Sequence, residues 1–419
     1  GQVPVEALER VAVFGELSLS GAVRPVRGAL AVAEGVARAG LAGLLLAPER
    51  VAEALLIEGI GVAAVASLEE LAAALAADEP PGRPEPPPPR TPLPDARAGP
   101  DLADVRGQRA GVQALQVAAA GEHNLFMQGP PGTGKTMLAR RLPSILPALE
   151  GSDAVEVTRI HSVAGIHNGG QLIERRPFRA PHHTISPPGL VGGGGAGGPY
   201  PGEVTLAHRG VLFLDELAEF SRSGLEALRQ PLEDGVVQIV RGQRAIEFPA
   251  RFMLVAAGNP CRCGFAPSDR CTCTEAELAA HRRRLSGPLL DRIDVRVAVE
   301  RPAGHELTAP PQSTSQAARD RVLAARERQR KRLAGTGYAV NGRLDARGVR
   351  DHVRLTLAGH RALQLGYEKS MLSARGHHRV LRVARTIADL DGDDRVGKAA
   401  VLEALSLREK RVAAQEAAA

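Results

Sequence analysis

Apolar residues fall along this chain in short runs bounded by glycine, proline or acids. Val11–Leu19 is strand-like, Leu30–Ala39 and Pro48–Leu56 have helical spacing, and Gly43–Ala47 and Val62–Ala66 read as short buried strands. A helix follows from Leu68. This alternation predicts a small sheet with helices packed against it. Residues 80–100 read PPGRPEPPPPRTPLPDARAGP, an extended linker, because proline fixes φ and removes donors. Beyond it three apolar runs, Asn124–Gln128, Gly210–Asp215 and Phe252–Ala257, fit parallel strands buried on both faces. Val236–Phe248 alternates around Gly242-Gln243 and predicts a hairpin. From about residue 303 the pattern turns helical, with helices expected over Arg319–Leu333, Arg343–Gly366 and Gly376–Leu390. Gly192–Gly198 is of low complexity.

A chain of 419 residues is too long for one ordinary domain of roughly 100–200 residues. No apolar run of about 18 residues is free of charges or breakers, so no transmembrane helix is expected. The start, Gly1-Gln2-Val3, suggests that further sequence lies upstream. Net charge is +6, but residues 301–419 alone carry +10. That excess suits a polyanionic partner and equally a solvated helical surface. All four cysteines fall between 261 and 273, which argues against a secreted disulfide scaffold and makes the cytoplasm the expected compartment.

The chemistry concentrates in three places. Gly129, Pro130, Pro131, Gly132, Thr133, Gly134, Lys135 and Thr136 form a complete G-x-x-x-x-G-K-[ST] loop between a strand and a helix. Its glycines let backbone N–H groups turn inward as an anion nest, Lys135 reaches the β- and γ-phosphates of ATP, and the Thr136 hydroxyl ligates Mg2+. Val211-Leu-Phe-Leu-Asp-Glu216 supplies the companion: Asp215 for the metal and Glu216 to polarise the attacking water. Cys261, Cys263, Cys271 and Cys273 are four soft ligands of the kind tetrahedral Zn2+ takes, and they follow Asn259 closely enough for metal loss to disturb the ATP site. His182 and His183, as neighbours on an extended segment, should point apart and serve a structural or pore-loop role rather than bind a metal together.

GPPGTGKT, VLFLDE and Asn259 at a strand end, followed by a helical C-terminal part, resemble an AAA+ ATPase. The segments Asp104–Gln108, Phe178–Ile185, Gly202–Gly210 and Ser373-Ala-Arg-Gly narrow the resemblance to the magnesium chelatase-like ATPases of the ComM/YifB type. The resemblance implies an α/β AAA+ core over 101–302 and a helical lid over 303–419. Residues 1–79 resemble part of a Lon-protease-like α/β domain, separated from the core by the linker at 80–100. It also implies that Asn259 is a sensor of the γ-phosphate and Arg379 a second sensor in cis, with Arg375 and Arg382 as neighbours. Arg292 becomes an arginine finger acting on the adjacent subunit of a homo-hexamer. Arg179, Arg241 and Arg244 would hold DNA phosphates in a central pore. The implied activity is an ATP-driven motor on single-stranded or branched DNA, acting in branch migration, natural transformation and recombination. Two rival readings share the ATP motifs: the motor subunit of a metal chelatase that works through a protein partner, and an ATP-switched assembly factor. A Lon-type protease needs a lysine base where this chain has Leu30, so proteolysis is not expected.

Overall fold

The computed structural model describes residues 5–77, 82, 99–167, 169–195, 198–241, 244–285, 289–370 and 374–408, so most of the proline-rich stretch lies outside it. The chain divides into two compact units, Gly1–Ala96 with Leu149–Arg175, and Arg97–Ala148 with Arg176–Ala419.

The first unit is built on three parallel strands, Val11–Phe14, Gly43–Leu46 and Gly61–Ala64, in that order. Gly43–Leu46 is central and buried on both faces, which is why it reads as a continuous apolar run. Leu44 and Leu46 pack with Ala29, Ala33 and Val36 of the helix Ala29–Arg38, while Leu45 faces Val11 and Leu75 on the other side. The expected strand Val11–Leu19 stops at Phe14; Glu16–Leu17 turns away to pair antiparallel with Val23–Arg24. The helix Gly151–Val163 belongs to this unit, so residues 149–175 leave the stretch expected to form a continuous core. The cause is a buried acid. Glu53 is 1% exposed and accepts hydrogen bonds from the Ser162 hydroxyl and from Leu30 N at 3.1 Å. A carboxylate so placed needs these donors. Arg159 pairs with Glu34 at 2.6 Å on the same contact.

The second unit carries a five-stranded parallel sheet: β1 (Leu125–Gln128), β2 (Phe178–Arg179), β3 (Val211–Leu214), β4 (Met253–Gly258) and β5 (Val295–Ala298), in the order β5-β1-β4-β3-β2. The three expected strands are its central β1, β4 and β3. The sequence reading missed both edges, the two-residue β2 and β5, which follows Ser286–Asp294 directly. Helices α1 (Arg109–Gly121), α2 (Lys135–Ile145), α4 (Ser315–Arg332) and α5 (Ala374–Asp391) contribute to one buried cluster with β1 and β5. Ala318, Val322 and Ala325 of α4 share that core with Leu115 and Leu138, so the C-terminal helices expected to form a separate lid are one compact unit with the sheet. The other face buries Leu190, Val204, Phe220 and Leu254, and α3 (Glu275–Leu285) adds Leu285 there. Val236–Arg241 and Arg244–Pro249 form the expected antiparallel hairpin, with Arg241 opposite Arg244. The glycine tract forms a second hairpin, Gly192–Gly195 with Gly198–Pro201.

The sheet is tied to the C-terminal helices by a buried polar chain. His123, fully buried, reaches Asp294 Oδ2 at 3.2 Å and Thr386 Oγ1 at 2.8 Å, and Arg382 donates to Asp294 Oδ1 at 2.8 Å. Burial alone would raise the Asp294 pKa. The Arg382 charge and the His123 bond outweigh it and hold the acid at about 2. Burial pushes His123 the other way, toward the neutral ring. Asp294→Ala should cost about 3 kcal/mol in urea unfolding, because it leaves the Arg382 charge without its partner. The depressed pKa also sets a sign. Asp294 contributes its full stability above its ordinary 3.8, and loses it as pH falls through about 2. Acid unfolding of the wild type over that window should therefore flatten in Asp294→Asn.

Candidate functional site: a phosphate-binding loop and its acids

β1 ends at Gln128, and the loop Gly129–Thr136 carries the chain into α2 at the carboxyl ends of the parallel strands, where such sheets bind ligands. Gly129 is obligatory, since a Cβ there would lie 2.0 Å from Val299 O. Gly132 and Gly134 have φ of +74° and +89°, and these turn the loop. Gln108 fastens it from outside, its Nε2 donating to Thr133 O at 3.0 Å and Glu300 O at 2.7 Å. Lys135 Nζ donates to Gly129 O at 2.7 Å, Pro130 O at 2.8 Å and Asn259 Oδ1 at 3.2 Å. Burial lowers its pKa, against the pull of Asp215 and Glu216. Thr136 Oγ1 donates to Asp215 Oδ2 at 2.6 Å, so the two residues assigned to Mg2+ already touch.

Glu216 sits in the left-handed region, φ 51° and ψ 51°, costly for a residue with a side chain. Its N–H donates to Asp215 Oδ1 at 3.0 Å. The turn aims successive carboxylates differently: Asp215 toward Thr136, and Glu216 toward His183, whose Nδ1 is 3.8 Å from Glu216 Oε2. The histidine pair does not splay as expected. His182 and His183 lie side by side, ring centroids 4.0 Å apart, because the segment turns at His183-Thr184 rather than running straight. Sequence reasoning gave His183 no part in the ATP site. The signal was its place just beyond β2, beside the acid-bearing β3. Reasoning also missed His281, whose Nε2 meets Asn259 O at 3.0 Å.

The expected arginines are not all at this end. Arg292 and Arg379 lie by the opposite ends of the strands. Arg292 accepts a hydrogen bond at its carbonyl from Asn124 Nδ2 at 3.0 Å and pairs through its guanidinium with Glu233. Arg379 faces Asp294 at 3.8 Å, one residue before β5. β5 and β1 run parallel with Val295 beside Leu125 and Ala298 beside Gln128. Four residues of strand, roughly 13 Å, therefore separate this edge from the loop. Arg379 as a sensor in cis is corrected: its charge is held at the far end of the sheet by Asp294. Arg375, its expected neighbour, lies on the same helix, where only the backbone is described. Arg179 is corrected too. It forms a two-pronged bond with Glu203, at 2.6 and 2.7 Å, which raises its pKa and uses its fork. Arg241 and Arg244 sit at the hairpin's end.

The four cysteine sulfurs all lie within 4.8 Å of one another. Cys261 is 3.3 Å from Cys263 and 3.7 Å from Cys271. Ala266 N donates to Cys261 Sγ at 3.3 Å and Cys263 N to Cys273 Sγ at 3.4 Å. Backbone N–H groups of Phe265 and Thr272 bring Cys263 down to about 6. Cys271 takes a favourable N–H from Cys273, but burial and the neighbouring thiols outweigh it and push it up to about 12. Four sulfurs this close together fit one soft dication, which would balance the charge of thiolate ligands; the donor set suits Zn2+.

Comparison with known proteins agrees with this geometry. Residues 101–307 match the family described as magnesium chelatase, subunit ChlI, and residues 312–408 match the C-terminal part of that subunit. An uncharacterized protein of Mycobacterium tuberculosis is 45% identical over 97% of this chain and 80% of its own length. The uncharacterized protein YifB of Escherichia coli is 39% identical over 97% of this chain and 79% of its own. The chain belongs to the ComM/YifB-type family of magnesium chelatase-like AAA+ ATPases. The competence protein ComM of Haemophilus influenzae is 43% identical over 74% of this chain and 60% of its own length. This chain is an ATP-hydrolysing enzyme that uses ATP and Mg2+. Among the described residues no helix is long and apolar enough to cross a membrane.

Two substitutions separate the roles within this ATPase. Glu216→Gln should lower kcat by about 100-fold or more while ATP binding persists, since only water activation is lost. His183→Ala should lower kcat by about ten-fold with KM little changed, as expected for a residue that orients Glu216. An equal loss of ATP binding in His183→Ala would mark it as structural.

Proposed function

We propose that this AAA+ ATPase is the motor of a larger protein assembly in the manner of a chelatase ATPase subunit, working as a homo-hexamer in the cytoplasm. Lys135 and Thr136 hold the nucleotide and its metal, Asp215 shares the Mg2+, Glu216 polarises the attacking water, and Asn259 senses the γ-phosphate. The observation that carries the ring is the two-ended placement of charge. The loop lies at one end of the strands, while Arg292 and Arg379 lie at the other, too far to serve it. They suit the nucleotide of an adjacent subunit packed against that edge, and Glu233 would release Arg292 when that contact forms. The match of both the core and the C-terminal helices to one chelatase subunit family supports a motor that acts on a protein partner.

A DNA motor, for branch migration in natural transformation and recombination, is the second reading. The hairpin ending in Arg241 and Arg244 and the similarity to a competence protein favour it. The first unit, read as a partial Lon-like domain with Leu30 in place of the lysine base, is non-proteolytic in either case.

Steady-state ATPase with and without single-stranded DNA distinguishes the readings. Turnover indifferent to DNA and to Arg241→Ala/Arg244→Ala supports the protein-partner motor; strong stimulation, lost in that double variant, moves the assignment to DNA. Hexamerisation on ATP without turnover would leave only a switch. The ring itself is tested by mixing two dead variants. Lys135→Ala and Arg292→Ala at equal ratio should recover about a quarter of the wild-type rate, because a quarter of random interfaces join an intact loop to an intact finger. No recovery would end the action in trans.

A further inference from the structure

The cysteine loop touches the phosphate-binding loop at Gly264. Gly264 lies at φ +88°, and a Cβ on it would come within 2.5 Å of Pro131 Cδ and 3.1 Å of its Cγ. Pro131 is the third residue of the phosphate-binding loop. Gly264 is in turn held from the cysteine side: its N–H donates to Cys261 O at 3.0 Å, and its neighbour Cys263 donates to Cys273 Sγ. The same segment begins at Asn259, which accepts from Lys135 and is held at its carbonyl by His281.

Side-chain burial does little to fix this segment. Across residues 261–274 the one buried side chain is Cys261. Inside it the Ser268 hydroxyl donates to Phe265 O at 2.6 Å, and the Arg270 guanidinium lies 4.5 Å over the Phe265 ring. A loop of this length without a core pays its ordering entropy through cross-links. Its turns are local, and the groups that join its two ends are the four sulfurs, all within 4.8 Å of one another.

We propose that a metal ion bound by Cys261, Cys263, Cys271 and Cys273 braces the phosphate-binding loop through the Gly264–Pro131 contact, so that nucleotide affinity depends on metal occupancy. The proposal rests on reading the cysteines as a metal site and Gly129–Thr136 as the nucleotide site. With the metal bound, Gly264 presses on Pro131 and fixes the turn that aims the loop N–H groups. Without it the segment loses its cross-link, and both the loop and Asn259 lose a wall.

The test uses the full chain, zinc analysis by mass spectrometry, and calorimetric titration with ADP. Zinc-loaded wild type should bind ADP, and removal of the zinc by chelation should weaken binding about ten-fold, the loss of one charge-assisted contact. Added zinc chloride should restore it. Gly264→Ala keeps all four ligands but drives a methyl group into Pro131, so it should retain zinc and still bind ADP more weakly. Unchanged ADP affinity after chelation, or in zinc-loaded Gly264→Ala, overturns the brace while leaving both site readings standing. A wild type that takes up no zinc overturns it together with the metal reading. A zinc-loaded chain that fails to bind ADP, like Lys135→Ala, overturns it together with the nucleotide reading. If circular dichroism shows that chelation unfolds the chain, Gly264→Ala decides the matter alone.

Discussion

The approach of Gly129 to its neighbours is the constraint on which the ATP site depends. Its N–H donates to Gly258 O at 3.2 Å, and its Cα faces the Val299 carbonyl with no room for a side chain. The ends of β1, β4 and β5 thus meet at one residue. Because they meet, Asn259 arrives beside Lys135 and Glu300 offers its carbonyl to Gln108. The glycine is usually credited with flexibility, but here it supplies absence of volume.

The sheet acts as a spacer as well as a scaffold. Its carboxyl edge gathers N–H groups, one ammonium and two acids around the phosphate position. Its amino edge gathers arginines around the buried carboxylate of Asp294. Parallel strands guarantee this polarity, since every strand presents the same end to the same edge. The short strands set the distance between the two edges.

Much of this was legible in the residues. The phosphate loop announced itself because its chemistry demands glycine, lysine and threonine at fixed spacing. The three central strands did so because burial on both faces leaves only apolar residues. What stayed hidden depended on long-range contacts. β2 is two residues long and carries no pattern of its own, so the position of His183 beside Glu216 could not be read. Arg379 sits in a segment that resembles a sensor, yet which end of a helix packs on which end of a sheet is a tertiary fact set by His123, Asp294 and Thr386. Arg179 looked like a free cation because its partner, Glu203, lies in a different segment. The helix Gly151–Val163 has little amphipathic character to announce where it packs, and Glu53, the acid that claims it, stands about a hundred residues earlier.

That last feature bears on how the chain can be divided. The first unit is not a bead at the end of a string. The polypeptide leaves it near residue 96, returns at 149 and departs again at 175. Leu149, Ala154 and Val157 make a small core with Leu172 and Ile173 inside the returning segment. An ATPase fragment cut at the proline-rich stretch would keep that segment and lose what it packs on: its Ser162 hydroxyl would have no Glu53 and its Arg159 no Glu34. Cutting at the stretch that looks most like a hinge would therefore produce a sticky protein, and a clean excision has to remove two pieces of chain rather than one.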